Sequence, residues 1–353
     1  MKVYNTDKLR ICKSEDYNYV FDKTNGFFAR WGKTKEDDPQ FAPMPEILDI
    51  EVTTICYGVP HIDKEGKPTP RIPCKFCYKS NTSNGVNMPF SNFKIILDKM
   101  PWLLQVAFGA DSECSSNPDI WKMMGYCREK GVVPNITVAN ITDETADNLK
   151  KYCGAVAVSR YDNKNLCYDS VKKLTDRGME QINIHILVSD NTYDMVMETL
   201  KDRLTDKRLE KLNAIVLLNL KQKGRGEAYN TLTDDKFKVL VDFAFDNKIT
   251  IGFDSCGCNK FLRVIKDYPN FKEMEMVSEP CESSLFSSYI DANGDFYPCS
   301  FCEGHCKGCL SWETGLSVLK ADDFLKDIWH NEKTKIFRDV LLKNGRNCPM
   351  YNV

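Results

Sequence analysis

The chain has 353 residues, 42% of them hydrophobic and 28% charged, which suits a barrel-sized catalytic domain with a smaller appendage. Its formal net charge of −2 argues against nonspecific nucleic-acid binding, because nothing compensates the repulsion of the phosphates. Since no apolar run has the length of a signal-peptide core or a membrane span, we expect a cytoplasmic protein without a membrane partner.

Residues 1–45 are predicted to form an N-terminal extension. Within it, YNYVFDKTNGFFARWG predicts a β-hairpin around Asn25-Gly26, because Asn-Gly supplies the positive φ angles of a tight turn. The hairpin is too short to be an independent domain. We therefore expect it to cover one end of the domain that follows.

Residues 46–250 alternate short apolar runs with amphipathic stretches, which predicts repeated βα units around a parallel sheet. The predicted strands are ILDIEVT, LLQVAF, VVPNITV, GAVAVS, INIHILVS, NAIVLLNL and ITIGFDS. The helix-like segments between them include FKIILDKM, DIWKMMGYCREKG, ETADNLKKYC, YDSVKKLTDRG and DDKFKVLVDFAFDN. Six or seven such units make an α/β fold with a partial or full parallel (β/α) barrel.

Helix-length repeats are expected to stop near residue 250, and residues 251–353 are predicted to form a small cysteine-rich C-terminal domain. There SSYIDANGDFYP predicts a second hairpin, with Asn293-Gly294 in its turn. The chain has sixteen cysteines, and in a reducing compartment the clustered ones favour metal or iron–sulfur ligation over disulfides. Isolated cysteines are predicted to be small core residues, namely Cys12, Cys127, Cys153 and Cys167.

The first cysteine cluster begins at Cys56, at the end of EVTTIC, and continues with Cys74 and Cys77 in IPCKFCYKSN. This pattern resembles the cluster loop of the radical S-adenosylmethionine (SAM) superfamily. The resemblance implies a [4Fe–4S] cluster on three thiolates, with one iron left open for SAM. Seventeen residues separate the first two cysteines instead of the usual three, but the longer loop costs only about 1.5 kcal/mol more. A zinc site with His61 as its fourth ligand is the alternative.

The same resemblance implies a SAM pocket at the carboxyl ends of the strands. Phe76 and Tyr78 match the aromatic positions that pack against adenine. The segment VAFGADSECSSNPD resembles the glycine-glycine-glutamate segment that receives the SAM ammonium, although it lacks two adjacent glycines. The matching positions are Gly109, Ser112 and Glu113.

Two further positions lie at the end of the fourth predicted strand, in GAVAVSRYD, where Ser159 and Arg160 match residues that contact the SAM ribose or carboxylate. An arginine suits this role because it can bind a carboxylate through two parallel hydrogen bonds. A surface ion pair is the alternative for this arginine. His185, in INIHILVS, is interpreted as a structural residue.

The spacing from Cys281 to Cys299, with Gly294 between them, resembles the opening of SPASM or twitch auxiliary-cluster domains. The resemblance implies at least one auxiliary [4Fe–4S] cluster. Its predicted ligands are Cys256, Cys281, Cys299 and Cys348, with Cys302 as an alternate fourth ligand. The segment CSFCEGHCKGC leaves three outcomes open, namely a second auxiliary cluster, a zinc site or reduced thiols.

As a whole, the resemblance implies reductive cleavage of SAM to a 5′-deoxyadenosyl radical, which abstracts hydrogen from a substrate. The expected substrate is a peptide or protein, and a small metabolite or nucleotide is the alternative. The expected electron donor is a reductase or a flavodoxin- or ferredoxin-type protein. A noncatalytic zinc-binding interaction module is the alternative from another functional class.

Overall fold

The computed structural model describes residues 1–34, 36–62 and 67–353, and the side chains of residues 61, 62, 68 and 69 lie outside this description. The strands are β1 (Lys2–Asn5), β2 (Leu9–Lys13), β3 (Asn18–Asp22), β4 (Phe28–Trp31), β5 (Ile47–Glu51), β6 (Val59–Ile62), β7 (Pro68–Ile72), β8 (Gln105–Gly109), β9 (Val133–Val138), β10 (Val156–Ser159), β11 (Ile182–Val188), β12 (Ala214–Asn219), β13 (Ile251–Phe253), β14 (Ser287–Ile290), β15 (Asp295–Tyr297), β16 (His305–Lys307), β17 (Leu310–Trp312) and β18 (Leu316–Ser317).

The helices are α1 (Phe90–Asp98), α2 (Ile120–Glu129), α3 (Asp143–Tyr152), α4 (Lys164–Asp176), α5 (Tyr193–Thr205), α6 (Asp234–Asp246), α7 (Cys258–Ile265), α8 (Phe271–Met276) and α9 (Glu332–Lys343). Short 3₁₀ turns span Asp190–Thr192, Lys207–Leu209, Gly224–Ala228 and Ser255–Gly257, and a π-helical turn spans Leu325–Trp329. In the described part of the chain, no helix combines the length and the apolar character that a membrane crossing requires.

The central sheet has the order β13-β12-β11-β10-β9-β8-β5-β14-β15-β18. Within this sheet, β5 and the strands from β8 to β13 are parallel and lie in chain order, with helices in the connections. This arrangement confirms the predicted α/β fold with a parallel sheet of βα units. All seven predicted strands form, as do the predicted helices.

Local sequence explains why these elements begin and end where they do. In β11 the buried and half-buried residues alternate along the strand, which is the pattern of a sheet with two different faces. Thr142 caps α3 and Thr233 caps α6, each by accepting a hydrogen bond from a backbone N–H in the first turn. Gly131 and Gly178 follow α2 and α4 with φ of +73°, as a left-handed C-cap requires.

The N-terminal extension forms a four-stranded antiparallel sheet, β1-β2-β3-β4, and the predicted hairpin is its β3–β4 half. Arg10 donates hydrogen bonds to the carbonyl oxygens of Leu103 (2.9 Å) and Pro101 (2.7 Å), just before β8. Tyr17 donates one to the buried carboxylate of Glu46, just before β5. The small sheet therefore lies against the amino ends of the barrel strands, opposite the carboxyl ends where the predicted site lies.

The C-terminal segment joins the same central sheet. The predicted hairpin is β14–β15, with Gly294 at φ +87° in the turn, and β14 pairs in parallel with β5. The expectation that helices stop near residue 250 is wrong, since α7, α8 and α9 follow. Helix α7 buries Phe261 and Ile265 on one face, so it forms by the same amphipathic packing as the earlier helices. The division into domains at residues 45 and 250 stays a prediction.

Candidate functional site

All sixteen cysteines are described and free, so the chain has no disulfide framework. The four isolated cysteines are buried, with exposed fractions of 7% or less, and they pack in the hydrophobic core. They are Cys12, Cys127, Cys153 and Cys167. The prediction that these thiols act as small core residues is confirmed, which leaves the clustered cysteines for a functional site.

The insertion between Cys56 and Cys74 folds back on itself as an antiparallel pair, β6 and β7, in which Val59 lies opposite Ile72. Its two ends therefore meet, with Cys56 three residues before this pair and Cys74 two residues after it. Gly58 makes the approach possible, because a Cβ atom there would lie 2.3 Å from the carbonyl oxygen of Ile72. The long separation in sequence thus becomes a short one in space. Residues 63–66, which belong to the same insertion, and the side chain of His61, the alternative zinc ligand, lie outside the description.

The loop that carries Cys74 and Cys77 is held by hydrogen bonds to the segment after β12. The Cys77 N–H donates to the Cys74 carbonyl oxygen at 3.3 Å. Arg225 then binds both residues, its Nε donating to the Cys74 carbonyl oxygen (2.7 Å) and its own N–H donating to that of Cys77 (3.1 Å). Two strand ends of the barrel therefore fix the position of this loop.

Tyr161, a residue that the sequence analysis did not single out, lies beside these thiols. Its hydroxyl donates a hydrogen bond to Cys74, although burial is the larger effect and raises the pKa of Cys74 to about 12. Burial also raises the pKa of Tyr161, and the charges of Cys74, Cys77 and Cys56 add to this shift. The three thiols therefore lie around one buried phenol. Within the described residues, however, no group of three or more His, Cys, Asp or Glu side chains has the arrangement of a metal site.

A pocket of about 180 Å³ opens beside this loop. Cys74 and Phe76 line it from the loop, Ser159 and Tyr161 from the end of β10, and Asn140 from the end of β9. The Phe76 ring stacks on Tyr161, with ring centroids 5.7 Å apart and planes 27° apart. Of the predicted SAM-binding residues, Phe76 and Ser159 thus share one pocket.

The residues that follow β8 contact the insertion, which forms part of the pocket wall. Ser112 donates a hydrogen bond to the Gly58 carbonyl oxygen at 2.7 Å. Glu113 forms an ion pair with Arg71 of β7 and accepts a hydrogen bond from the Asn140 side chain at 3.0 Å. Gly109 ends β8, and a Cβ atom there would lie 3.4 Å from the Cα atom of Glu51. Glu113 is thus bound to a residue of the pocket wall without lining the pocket.

Tyr78 and Arg160 lie outside the pocket lining. The Tyr78 ring stacks on Phe301 of the C-terminal segment, with centroids 4.2 Å apart. Arg160 pairs with Glu198 of α5 at 2.8 Å. The pleat explains the second case, since successive residues of an extended strand point to opposite faces. Because Ser159 faces the pocket, the next residue faces the helix layer.

A second, much smaller cavity, of about 10 Å³, lies in the C-terminal segment. Its lining contains all five cysteines predicted as auxiliary ligands, namely Cys256, Cys281, Cys299, Cys302 and Cys348. The Sγ atoms of Cys299 and Cys302 are 3.5 Å apart. A hydrogen bond joins Cys256 to Cys281 and lowers the pKa of the Cys256 thiol. The thiols that line this one cavity thus come from separate parts of the chain: a strand end, the hairpin and the C-terminal tail.

The remaining clustered cysteines lie elsewhere. Cys258 is buried on α7, where burial raises the pKa of its thiol to about 11. Cys306 and Cys309 are exposed on the β16–β17 hairpin. The CSFCEGHCKGC segment is therefore divided, because its first two thiols face the cavity and its last two face solvent.

Two further polar groups lie on strands of the central sheet. Asp49 in β5, which the sequence analysis did not single out, has a pKa raised to about 7, chiefly by burial and further by the charge of Cys299. It is one of two acids, with Glu51, in the otherwise mostly apolar run ILDIEVT. His185 lies on β11 with its Nδ1 3.5 Å from the Thr137 hydroxyl, and burial lowers its pKa to about 4. This imidazole is neutral at pH 7.

The chain was compared with known proteins by family, by sequence and by structure. No family model matches it, and no curated protein matches it. Among solved structures, Streptococcus suis SuiB bound to the precursor peptide SuiA has a TM-score of 0.69 and 14% identity, over 96% of this chain and 90% of that chain. SuiB bound to S-adenosylmethionine has a TM-score of 0.63 and 14% identity, over 94% and 88% of the two chains. At this identity the likeness concerns the fold alone: the chain has a mixed α/β fold with a large, mostly parallel sheet, as predicted from its sequence, and shares it with these SuiB structures.

Proposed function

We propose that this chain is a radical SAM enzyme in which Cys56, Cys74 and Cys77 hold a [4Fe–4S] cluster. The observation that carries the proposal is the meeting of the two ends of the insertion, which brings Cys56 near Cys74, a residue that lines the pocket. The carboxyl ends of parallel barrel strands are where catalytic groups of such folds lie. The likeness in fold to a SuiB structure bound to S-adenosylmethionine supports the same assignment.

The donor set fits an iron–sulfur cluster. Thiolates are the usual ligands of iron–sulfur clusters. Backbone N–H groups already point at these sulfurs, that of Gly58 at Cys56 (3.4 Å) and that of Phe76 at Cys74, and such donors stabilise a thiolate. When bound and reduced, the cluster supplies the electron that cleaves SAM to a 5′-deoxyadenosyl radical.

The chain's own residues have separate tasks in binding SAM. The Phe76 ring gives the pocket an apolar wall, and its stacking on Tyr161 fixes the wall's orientation. Ser159 offers a hydroxyl at the pocket floor. Glu113 accepts a hydrogen bond from Asn140, a residue of the pocket wall. Its carboxylate is the proposed acceptor of a charge-assisted hydrogen bond from the SAM ammonium. Hydrogen abstraction then takes place inside a barrel whose walls exclude bulk water.

The five cysteines that line the C-terminal cavity are proposed to hold an auxiliary [4Fe–4S] cluster. Four suffice, and Cys256, Cys281, Cys299 and Cys348 come from four separate parts of the chain, so Cys302 is an alternate ligand beside Cys299. The cavity is lined mainly by thiols and aromatic rings, which suits a buried cluster. Residues 46–250 would then be the catalytic domain and residues 251–353 the auxiliary domain.

The proposed substrate is a peptide or protein, which radical chemistry would modify. In support, the chain resembles, over most of both chains, a SuiB structure that was determined with its precursor peptide. The electron donor is proposed to be a reductase or a flavodoxin- or ferredoxin-type protein. Such a donor approaches a cluster that lies at the mouth of the barrel.

The direct experiment is anaerobic incubation of the reconstituted chain with SAM and a strong reductant, followed by measurement of 5′-deoxyadenosine. We expect release from the wild type and from Cys309→Ala, a control at an exposed thiol. Cys77→Ala should release none. Equal release from the wild type and Cys77→Ala, or none from either, would refute the proposal.

A further inference from the structure

Asp49 lies at the centre of β5, on the face of the strand that looks into the barrel. Its neighbours Leu48 and Ile50 are buried on the other face, and alternation along a strand puts Asp49 opposite to them. Across the sheet it is in register with Ala107 of β8 and Tyr289 of β14. Neighbouring protein groups raise the pKa of the carboxyl group, yet the residue is exposed to solvent. It therefore borders a solvent-accessible space on this face of the sheet.

This carboxyl group has no partner among the described residues, neither a hydrogen-bond donor nor a cation. Glu51, two residues further along the same face, gives the contrast. Its carboxylate lies 3.0 Å from Lys79 Nζ and accepts hydrogen bonds from Asn81 (3.1 Å) and Tyr289 (3.3 Å). Buried carboxylates are normally paired, because an unpaired charge in the interior is costly. Glu51 follows this rule, whereas the solvent-accessible Asp49 has no such partner in the described part of the chain.

The groups near Asp49 are acidic or neutral. The charges of Cys299 and of Asp49 oppose each other's ionisation, and so do those of Asp49 and Tyr78. The cations of the neighbouring loops have other partners in the described structure: Lys79 binds Glu51 and Glu303, Lys221 binds Asp254, and Lys223 binds the carbonyl oxygens of Ser300, Phe301 and Glu303. Among the described residues, no cation is therefore paired with Asp49.

Asp49 also lies where the two cysteine-bearing loops meet. Tyr78 follows Cys77 directly, and its ring stacks on Phe301, which lies two residues after Cys299. The charge of Asp49 contributes to the raised pKa of Tyr78, and the charge of Cys299 contributes to the raised pKa of Asp49. A substrate group that reaches into the barrel between these loops meets this carboxyl group.

We propose that Asp49 is a substrate-binding residue, whose carboxylate accepts hydrogen bonds from a cationic N–H group, a primary ammonium or a guanidinium, that the substrate inserts into the barrel. This inference rests on the proposed function and names the chemistry of the substrate group. The inserted cation supplies the missing counter-charge, and a charge-assisted hydrogen bond in a poorly solvated space is stronger than one at the surface.

The test uses two small fluorinated probes of equal shape, 4-fluorobenzylamine and 4-fluorobenzyl alcohol, titrated into the reconstituted full chain at pH 8 and followed by ¹⁹F NMR. We expect the wild type to bind the amine about tenfold or more tightly than the alcohol, as a hydrogen bond to a charged group provides. Asp49→Asn should lose this preference, and Asp49→Glu should keep most of it. Asp267→Asn, at an exposed acid, is the matched control and should behave as the wild type.

Two results would overturn the inference, namely a wild type that binds amine and alcohol equally, and an Asp49→Asn variant that keeps the wild-type preference. The first comparison needs no variant, so it stands even if Asp49→Asn fails to fold. Binding is measured without SAM, and release of 5′-deoxyadenosine is measured separately in the same preparation. A chain that prefers the amine but never cleaves SAM would refute the proposed function, whereas one that cleaves SAM without the preference would refute the role of Asp49.

Discussion

The side chain of Arg30 joins three parts of the chain at the base of the barrel, and its removal should be costly. From β4, Arg30 binds the carboxylate of Glu46 at 2.9 Å, that of Glu279 at 2.9 Å and, more distantly, that of Glu282 at 4.0 Å. Its guanidinium also lies 3.3 Å from the centre of the Phe286 ring. The substitution Arg30→Met keeps much of the packing and removes the charge.

The expected loss follows from the burial of each partner. The Glu46 side chain is 3% exposed, so its charge would stay buried without a cation, with only the Tyr17 hydroxyl as a hydrogen-bond partner among the described residues, at a cost of about 3 kcal/mol. The Glu279 side chain is 38% exposed, so water replaces most of its interaction and it adds less than about 1 kcal/mol. For 353 residues, an unfolding entropy of about 2.1 cal/mol/K per residue converts 3 kcal/mol into a fall in Tm of about 4 °C.

The pH dependence gives this prediction a second readout. Burial raises the pKa of Glu46 from 4.5 to about 7, although Arg30 opposes the shift. Between these values the folded state binds more protons than the unfolded state, so the stability that Glu46 contributes falls as pH rises. Without Arg30 the pKa rises further, so calorimetry should show a larger loss at pH 8 than at pH 5.5. Arg177→Met, which breaks exposed pairs with Asp143 and Asp147, should cost less than about 1 kcal/mol. Equal effects of the two substitutions, or no loss for Arg30→Met, would refute the reasoning.

Two further substitutions test the site and the hairpin. Tyr161→Phe removes the hydrogen bond to Cys74 and should lower retention of cluster iron about tenfold, measured by chelator competition under anaerobic conditions; unchanged retention would deny the phenol this role. Gly294→Ala places a Cβ atom 2.8 Å from Leu319 Cγ at φ +87° and should cost about 3 kcal/mol in urea unfolding. Gly304→Ala, at φ +71° in open space, should cost only about 1 kcal/mol, and equal costs would mean that the hairpin turn has room to relax.

Much of the fold could be predicted because its signals are local. An apolar run such as INIHILVS becomes a strand, and Asn293-Gly294 becomes a turn, through the preferences of a few neighbouring residues. The pairing of β14 with β5 could not be predicted in this way, since it joins residues more than 200 positions apart. The same limit explains why the C-terminal segment was expected to be separate from the sheet.

The sequence indicated which residue types form the site better than it indicated how they are arranged in space. The clustered cysteines stood out by residue type, and five of them line one cavity. The insertion forms the β6–β7 pair and part of the pocket wall, and its proline-rich sequence has no Asn-Gly turn to indicate this pairing. Arg160 has the right residue type at a strand end, yet the pleat turns it toward Glu198. The stacking of Tyr161 on Phe76 depends on tertiary packing, which cannot be inferred from a single sequence.

The central claim is that Cys56, Cys74 and Cys77 hold one cluster of their own. The most direct measurement is the iron and acid-labile sulfide content of the anaerobically reconstituted chain, compared between the wild type and the triple variant Cys56→Ala/Cys74→Ala/Cys77→Ala. The account predicts that the triple variant holds about four irons and four sulfides fewer per chain, while any iron at the C-terminal cavity remains. Equal iron and sulfide in the two proteins, or zinc without sulfide in the wild type, would contradict it.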